Sequence, residues 1–219
     1  MNKLLSIFCN IFLAPLIKII FIKEIKGKEN IPSNNFILAS NHQSYLDIVL
    51  SGCICVPRRF TYIGQIDREN KGWGFIRNAV YDLTEVIPVN RNDSQSKKQA
   101  FEKAIQYIQK GYILNVYPEG TRTRTGEIQS GKWGVAKIYL KTKVPIVPMG
   151  ISGAFEVFPP GAKPKIKKNI RLNIGQPLDF PEFFQQAKNL NSDSEEYKNI
   201  CATITDKIMA EIKKLTYEN

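Results

Sequence analysis

The chain has 219 residues, 43% of them hydrophobic, and 31 Lys and Arg against 20 Asp and Glu, a net charge of +11. It is too apolar for a disordered basic tail, and its length suits one domain of roughly 100–200 residues. Its one histidine, His42, excludes a metal site built on several imidazoles, and any reaction needing an imidazole base must use it.

The first feature along the chain is the apolar run Leu4–Ile22, LLSIFCNIFLAPLIKIIFI. As one helix it spans about 28 Å, close to the hydrocarbon thickness of a bilayer. Pro15 is expected to kink or split that helix, and Lys18 is costly at depth unless it snorkels. No small-residue cleavage site follows, so a signal peptide is not expected. The favoured reading is two short apolar helices lying in one leaflet. A single spanning helix and an ordinary buried helix are the alternatives. Lys3, Lys18, Lys23, Lys26 and Lys28 flank or punctuate the run, as suits an anionic lipid surface on the cytoplasmic side.

Short apolar runs then alternate with helical stretches. Phe36–Ser40 reads as a buried strand and Leu46–Val56 as a helix closed by Pro57. Val86–Val89 reads as a short strand. Ser96 and Gln99 form a capping box for a helix reaching Lys110, with Gly111 as its stop. Tyr112–Tyr117 and Val144–Met149 read as strands, and Lys132–Lys141 between them as a helix. Ile170–Ile174 alternates like a strand nearer a sheet edge. The last helix spans about Asp193–Leu215, with Tyr197, Ile200, Cys201, Ile204, Ile208, Ile212 and Leu215 as its apolar face. This alternation argues for an α/β class: a single domain with a mixed, mostly parallel sheet flanked by helices. The four cysteines form no CxxC pair and read as reduced, mostly buried thiols.

Chemically capable residues follow three of the four apolar strands. They are Asn41–Asp47, then Asn90-Arg91, then Pro118–Arg122. In an open parallel sheet such segments converge outside the carboxyl ends of the strands. His42 and Asp47, five apart, meet only if His42 lies in a loop and Asp47 in the first helical turn. A carboxylate on Nδ1 then fixes the tautomer and frees Nε2 as a base. The plainer reading is a histidine that caps a helix or is satisfied in the core. In Glu119-Gly120-Thr121-Arg122, Gly120 permits close backbone approach, Thr121 offers a hydroxyl and Arg122 a planar fork for phosphate. Arg91, and Lys132 between Gly131 and Gly134, are further candidate cations, and a turn carrying a surface arginine is the plainer alternative.

Four of these segments, in order, resemble the sequence blocks of the glycerolipid acyltransferases. Asn41-His-Gln-Ser-Tyr-Leu-Asp47 is similar to their HxxxxD block. Val86–Arg91 is similar to the block ending in arginine, Tyr117–Arg122 to the Pro-Glu-Gly-Thr-Arg block, and Val144–Met149 to the proline-bearing strand block. The resemblance covers about residues 25–180 and is greatest to the small bacterial 1-acyl-glycerol-3-phosphate acyltransferases. The apolar run sets a membrane-associating segment over 1–24, and the resemblance implies an acyltransferase domain over 25–219. It implies His42 as general base, Asp47 as its orienting partner, and Arg91 and Arg122 holding the acceptor's phosphate, with Glu119, Gly120 and Thr121 shaping that site; Lys132 joins the substrate-binding candidates on its position alone. The implied reaction moves a fatty acyl group from acyl-CoA or acyl carrier protein to the sn-2 hydroxyl of a lysophosphatidate. No metal or organic cofactor is expected. The implied partners are membrane lipid and an anionic membrane surface, with a peripheral or monotopic seat on the cytoplasmic face and no nucleic acid.

Two positions depart from the family pattern. Thr84-Glu85 stand where a glycine usually precedes the second block's arginine, and a common Lys-Glu pair is absent near Ile63-Gly64-Gln65. They keep another lyso-lipid acceptor, such as a lyso-ornithine lipid, in view. A non-catalytic basic membrane or nucleic-acid binder is the remote alternative. Gly72–Ile76 reads as an acyl path, a lipid contact or core packing. Lys163, Lys165, Lys167, Lys168 and Arg171 read as a solvated face, a lipid contact or a carrier-protein contact.

Overall fold

The computed structural model describes residues 3–65, 81–82 and 84–218. The Gly72–Ile76 stretch lies outside the described residues. The chain begins with helix α1, Lys3–Ile20. It is one helix and not two: Lys3–Phe8 and Ala14–Ile20 are α-helical, and the turn between them, Cys9–Leu13, is π-helical. The Ala14 N–H bonds the Cys9 carbonyl, five residues back. Pro15 therefore falls in the first turn of the second stretch, where its missing N–H costs little. The wider turn absorbs the break that the proline was expected to impose.

Seven strands follow among the described residues: β1 (Ile22–Lys26), β2 (Ile37–Ser40), β3 (Phe60–Gly64), β4 (Ile87–Pro88), β5 (Ile113–Val116), β6 (Ile146–Ser152) and β7 (Ile170–Ile174). The α-helices between and after them that lie wholly within the described residues are α2 (Asp47–Cys55), α3 (Ser94–Gln109), α4 (Gly134–Thr142), α5 (Ala154–Val157), α6 (Glu182–Lys188) and α7 (Glu195–Tyr217). The strands form one sheet in the order β1-β7-β6-β2-β5-β3-β4. From β6 to β4 every pairing is parallel. β7 runs antiparallel to β6, and β1 runs with β7. The sheet is thus mixed and mostly parallel, as its sequence pattern implies.

Both faces are covered, which is why the central strands read as unbroken apolar runs. Ile37, Ala39, Leu114, Val116 and Ile146 pack with apolar residues of α3, α4 and α7 on one side. Phe36, Leu38, Ile113, Val147 and Met149 pack with Leu50, Cys55 and Ala154 on the other, where Leu5, Cys9 and Ile17 of α1 also rest. Helix α7 approaches β6 closely enough that a Cβ on Gly150 would lie 2.3 Å from the Thr216 nitrogen. Helix α3 starts earlier than its expected capping box. Its N-cap is Asp93, whose carboxylate accepts from the Gln95 and Ser96 N–H groups, and the Ser96 hydroxyl is taken by the Asn90 N–H. Asp93 is as good a cap as serine and leaves Ser96 to close the preceding turn. All four cysteines are free thiols, three of them buried.

One flank of α1 stays uncovered. Leu4, Phe8, Ile11, Phe12, Leu16 and Ile19 are each more than half exposed. The helix is long and apolar enough to cross a membrane, with a mean hydropathy of 1.9 and 17% of it buried.

Candidate active site

β2 ends at Ser40, and the chain turns sharply through Asn41–Leu46 before α2 begins at Asp47. Two ends fix this loop. The Asn41 side chain donates to the Ile151 carbonyl at 2.9 Å and accepts from the Ile151 N–H at 2.8 Å, locking the end of β2 to β6. At the other end the loop wraps around the Asp47 carboxylate. Oδ2 accepts from the Gln43 N–H and the Ser44 N–H, both at 2.7 Å, and from His42 Nδ1 at 2.8 Å. Oδ2 already accepts two backbone N–H groups, so Nδ1 meets it as a donor, carries the ring proton and leaves Nε2 as the free acceptor. Five residues is the spacing that lets the intervening backbone aim two amides at the same oxygen.

His42 is 6% exposed and Asp47 fully buried. The imidazole stacks on Tyr117 at 4.0 Å between centroids and 13° between planes. Tyr117 comes from the end of β5, the neighbour of β2, and its hydroxyl meets Ser51 Oγ of α2 at 3.2 Å. The ring is thus held at its Nδ1 edge by a carboxylate and on one face by an aromatic ring. Burial lowers the His42 pKa below its ordinary value. Asp47 opposes that shift, and the positive fields of Arg122 and Arg91 reinforce it. The imidazole is neutral at neutral pH, the form a general base requires.

The segment after β5 braces the same loop. Glu119 is 2% exposed, and both its oxygens are committed to backbone: Oε1 accepts the His42 N–H at 2.7 Å and Oε2 the Gln129 N–H at 2.8 Å. Burial raises its pKa, and these two hydrogen bonds partly offset the shift. The Thr123 N–H donates to the His42 carbonyl at 2.9 Å. Gly120 closes the turn with φ +72, a conformation open to glycine. The Lys132 side chain lies over Gly120, within 3.0 Å of where a Cβ would stand, and the Lys132 N–H bonds the Pro118 carbonyl. Lys132 therefore precedes α4, which starts at Gly134, two residues later than its sequence suggests. Thr121 is exposed on the rim.

Arg122 is half-buried. Its Nε donates to the Ser44 carbonyl at 3.2 Å, and its guanidinium lies 4.4 Å above the Tyr45 ring. The charges of Arg91, which follows β4, and of Arg122 both act on His42, and the Arg91 pKa is lowered by partial desolvation first and then by the Arg122 charge. Two guanidiniums whose fields both reach His42 offer planar forks to a multiply charged anion. His42, Asp47, Arg91, Glu119, Gly120, Arg122 and Lys132 thus gather at the carboxyl ends of β2, β4 and β5. Asn41 and Tyr117, which open two of the sequence blocks without an assigned role, and Thr123 and Gln129, which lie outside them, join the site. No group of three or more metal-ligating side chains occurs among the described residues.

A histidine–carboxylate pair on a strand–loop–helix turn, with cations converging on it, defines the class of site. The Acyltransferase family model matches residues 23–152, well over half of the chain, and the chain belongs to that family. A 1-acyl-sn-glycerol-3-phosphate acyltransferase of Bacillus subtilis is 27% identical over 163 residues, covering 73% of this chain and 75% of that protein. One of Borreliella burgdorferi is 29% identical over 196 residues, covering 87% and 72%. A chloroplastic one of Arabidopsis thaliana is 28% identical over 179 residues, and the match takes 79% of this chain but 47% of that protein. The chain thus spans about half the length of the plant relatives it matches. The crystal structure of the 1-acyl-sn-glycerophosphate acyltransferase of Thermotoga maritima superposes with a TM-score of 0.68 at 26% identity, covering 95% of this chain and 79% of that one. Family and apolar helix together point to membrane association.

Proposed function

We propose that the chain transfers a fatty acyl group from a thioester, acyl-CoA or acyl carrier protein, to the sn-2 hydroxyl of 1-acyl-glycerol-3-phosphate, making phosphatidate. His42 Nε2 takes the hydroxyl proton as the oxygen attacks the thioester carbonyl. Asp47 holds the ring and offsets the imidazolium charge that forms. The C–S bond then breaks, and the imidazolium returns its proton to the departing sulfur. The thioester is already activated, so the reaction calls for no acyl-enzyme, metal or organic cofactor. Arg91 and Arg122 hold the phosphate, Lys132 adds a third cation over Gly120, and Thr121 lines the rim. Glu119 acts through its hold on the His42 backbone. The enzyme sits on the cytoplasmic face of a membrane through the apolar flank of α1, as a peripheral or monotopic protein.

The observation that carries this reading is the His42 imidazole held at Nδ1 by the buried Asp47 carboxylate, with Arg122 braced on the carbonyl of Ser44 in the same loop. The test is His42→Ala with purified protein, a thioester donor and a panel of lyso-acceptors. Turnover of lysophosphatidate falls by roughly 100- to 10,000-fold while the thermal unfolding transition is kept. Retained turnover would overturn the mechanism. A parent enzyme that prefers a lyso-lipid without a phosphomonoester would overturn the acceptor.

A further inference from the structure

The loop between α5 and β7 joins the catalytic loop to the apolar helix. Its root is Phe158, whose carbonyl accepts from the Ser44 hydroxyl at 2.9 Å and the Tyr45 N–H at 3.1 Å. Tyr45, over which Arg122 is stacked, lines a cavity of about 380 Å³ with Arg124 and the loop's own Pro160 and Gly161. At its far end the Ile170 N–H bonds the carbonyl of Phe21, the residue that follows α1. Between these anchors stand Lys163, Lys165, Lys167 and Lys168, all exposed. Among the described residues only Lys167 of the four has an acidic partner, Glu156. In their midst is Ile166, 88% exposed, the most exposed large apolar side chain described.

We propose that this loop is a second contact with an anionic lipid leaflet. Lysines bind lipid phosphates at headgroup depth, and an apolar side chain between them enters the acyl boundary. One apolar side chain among four lysines is too small for the apolar centre of a protein interface but is enough to enter the acyl boundary. The loop ends on Phe21, next to α1 with its exposed apolar flank, and leads into β7 at the carboxyl end of β6, the end of the sheet that carries His42. The inference rests on the reading of the chain as an enzyme that acts at a membrane.

The test is sedimentation of the full chain with vesicles of phosphatidylcholine alone or with phosphatidylglycerol, alongside turnover in neutral detergent micelles. Lys163→Gln, Lys165→Gln and Lys168→Gln together lower partition onto the anionic vesicles by on the order of 100-fold, about fivefold per lysine. Partition onto the neutral vesicles and turnover in micelles stay within twofold. Ile166→Glu lowers partition onto both vesicles by on the order of tenfold. Partition of the triple variant within twofold of the parent on anionic vesicles would overturn the proposal, as would a parent that binds neither vesicle. So would a loss confined to turnover with acyl carrier protein, which would make the loop a carrier-protein dock. A parent that binds vesicles but transfers no acyl group would overturn the catalytic reading and leave the lipid contact standing.

Discussion

Replacing Asp47 with asparagine separates the two things its carboxylate does. Oδ2 receives three N–H groups, two from the loop and one from His42, while Oδ1 is buried and has no hydrogen-bond partner among the described residues. With the amide oxygen in place of Oδ2, all three bonds survive but lose charge assistance, about 1 kcal/mol each. The amide NH2 then occupies the orphan position as an unsatisfied donor at a further cost of about 1–3 kcal/mol. Relief from burying a charge returns part of this, leaving Asp47→Asn less stable by roughly 3 kcal/mol. The catalytic effect has a different origin. The two loop amides are bonded alike in ground and transition states, whereas the imidazolium exists only after proton transfer begins. A counter-charge about 4 Å away at an effective dielectric of about 20 is worth about 4 kcal/mol to that ion, or roughly 1,000-fold in rate. The assay is thiol release from acyl-CoA with saturating lysophosphatidate, with circular dichroism for the fold. A folded Asp47→Asn enzyme whose kcat is within tenfold of the parent would refute the assigned role of the carboxylate.

Two further substitutions test the scaffold. Glu119→Gln offers one acceptor and one donor to two N–H groups, so one of the bonds from His42 or Gln129 is lost. Chemical denaturation should show a loss of about 1–3 kcal/mol, and kcat should fall with no change in acceptor KM, because the side chain acts on the base and not on the substrate. At Gly150 an added methyl would meet the Thr216 nitrogen at 2.3 Å and the Leu215 carbonyl carbon at 2.4 Å, so Gly150→Ala must lift α7 from β6. The expected cost is about 3 kcal/mol by denaturation. Gly134→Ala, with nothing within 4 Å, is the neutral control.

The central strands were legible because sheet position writes itself into composition. β2, β5 and β6 are covered on both faces and read as apolar runs, and the chemistry after them follows from parallel topology. β1 and β3 were not anticipated. IKEIK lies at the sheet edge, where charged side chains are tolerated, and its apolar start merges with the helix before it. FTYIG is short and follows a proline and two arginines, so it reads as loop. The short helices α5 and α6 carry too few turns to show a period. At the site, the His42–Asp47 pair is local and its spacing carries it. The Tyr117 stack and the Asn41–Ile151 bridge join segments far apart in sequence. Only the adjacency of β2 with β5 and with β6 brings them together.

The same electrostatics couple acceptor binding to base strength. In the free enzyme the His42 pKa is held down by burial first and then by Arg122 and Arg91, against the pull of Asp47. The folded state therefore binds the His42 proton more weakly than the unfolded chain. Its contribution to stability is intact above the ordinary imidazole value of about 6.5 and is lost as pH falls below it. A bound phosphomonoester cancels the push of both guanidiniums and adds an anion of its own. The imidazolium is then easier to form, and His42 is the stronger base with acceptor bound than without. The profile of kcat/KM for the acceptor reports the free enzyme, and that of kcat reports the complex. With saturating donor, the acid limb of kcat should therefore lie at higher pH than that of kcat/KM. Arg122→Gln should raise the kcat/KM limb and narrow the gap, and an acceptor with a neutral head group should close it. A kcat limb at or below the kcat/KM limb with lysophosphatidate would show that the two arginines do not hold the phosphate beside His42.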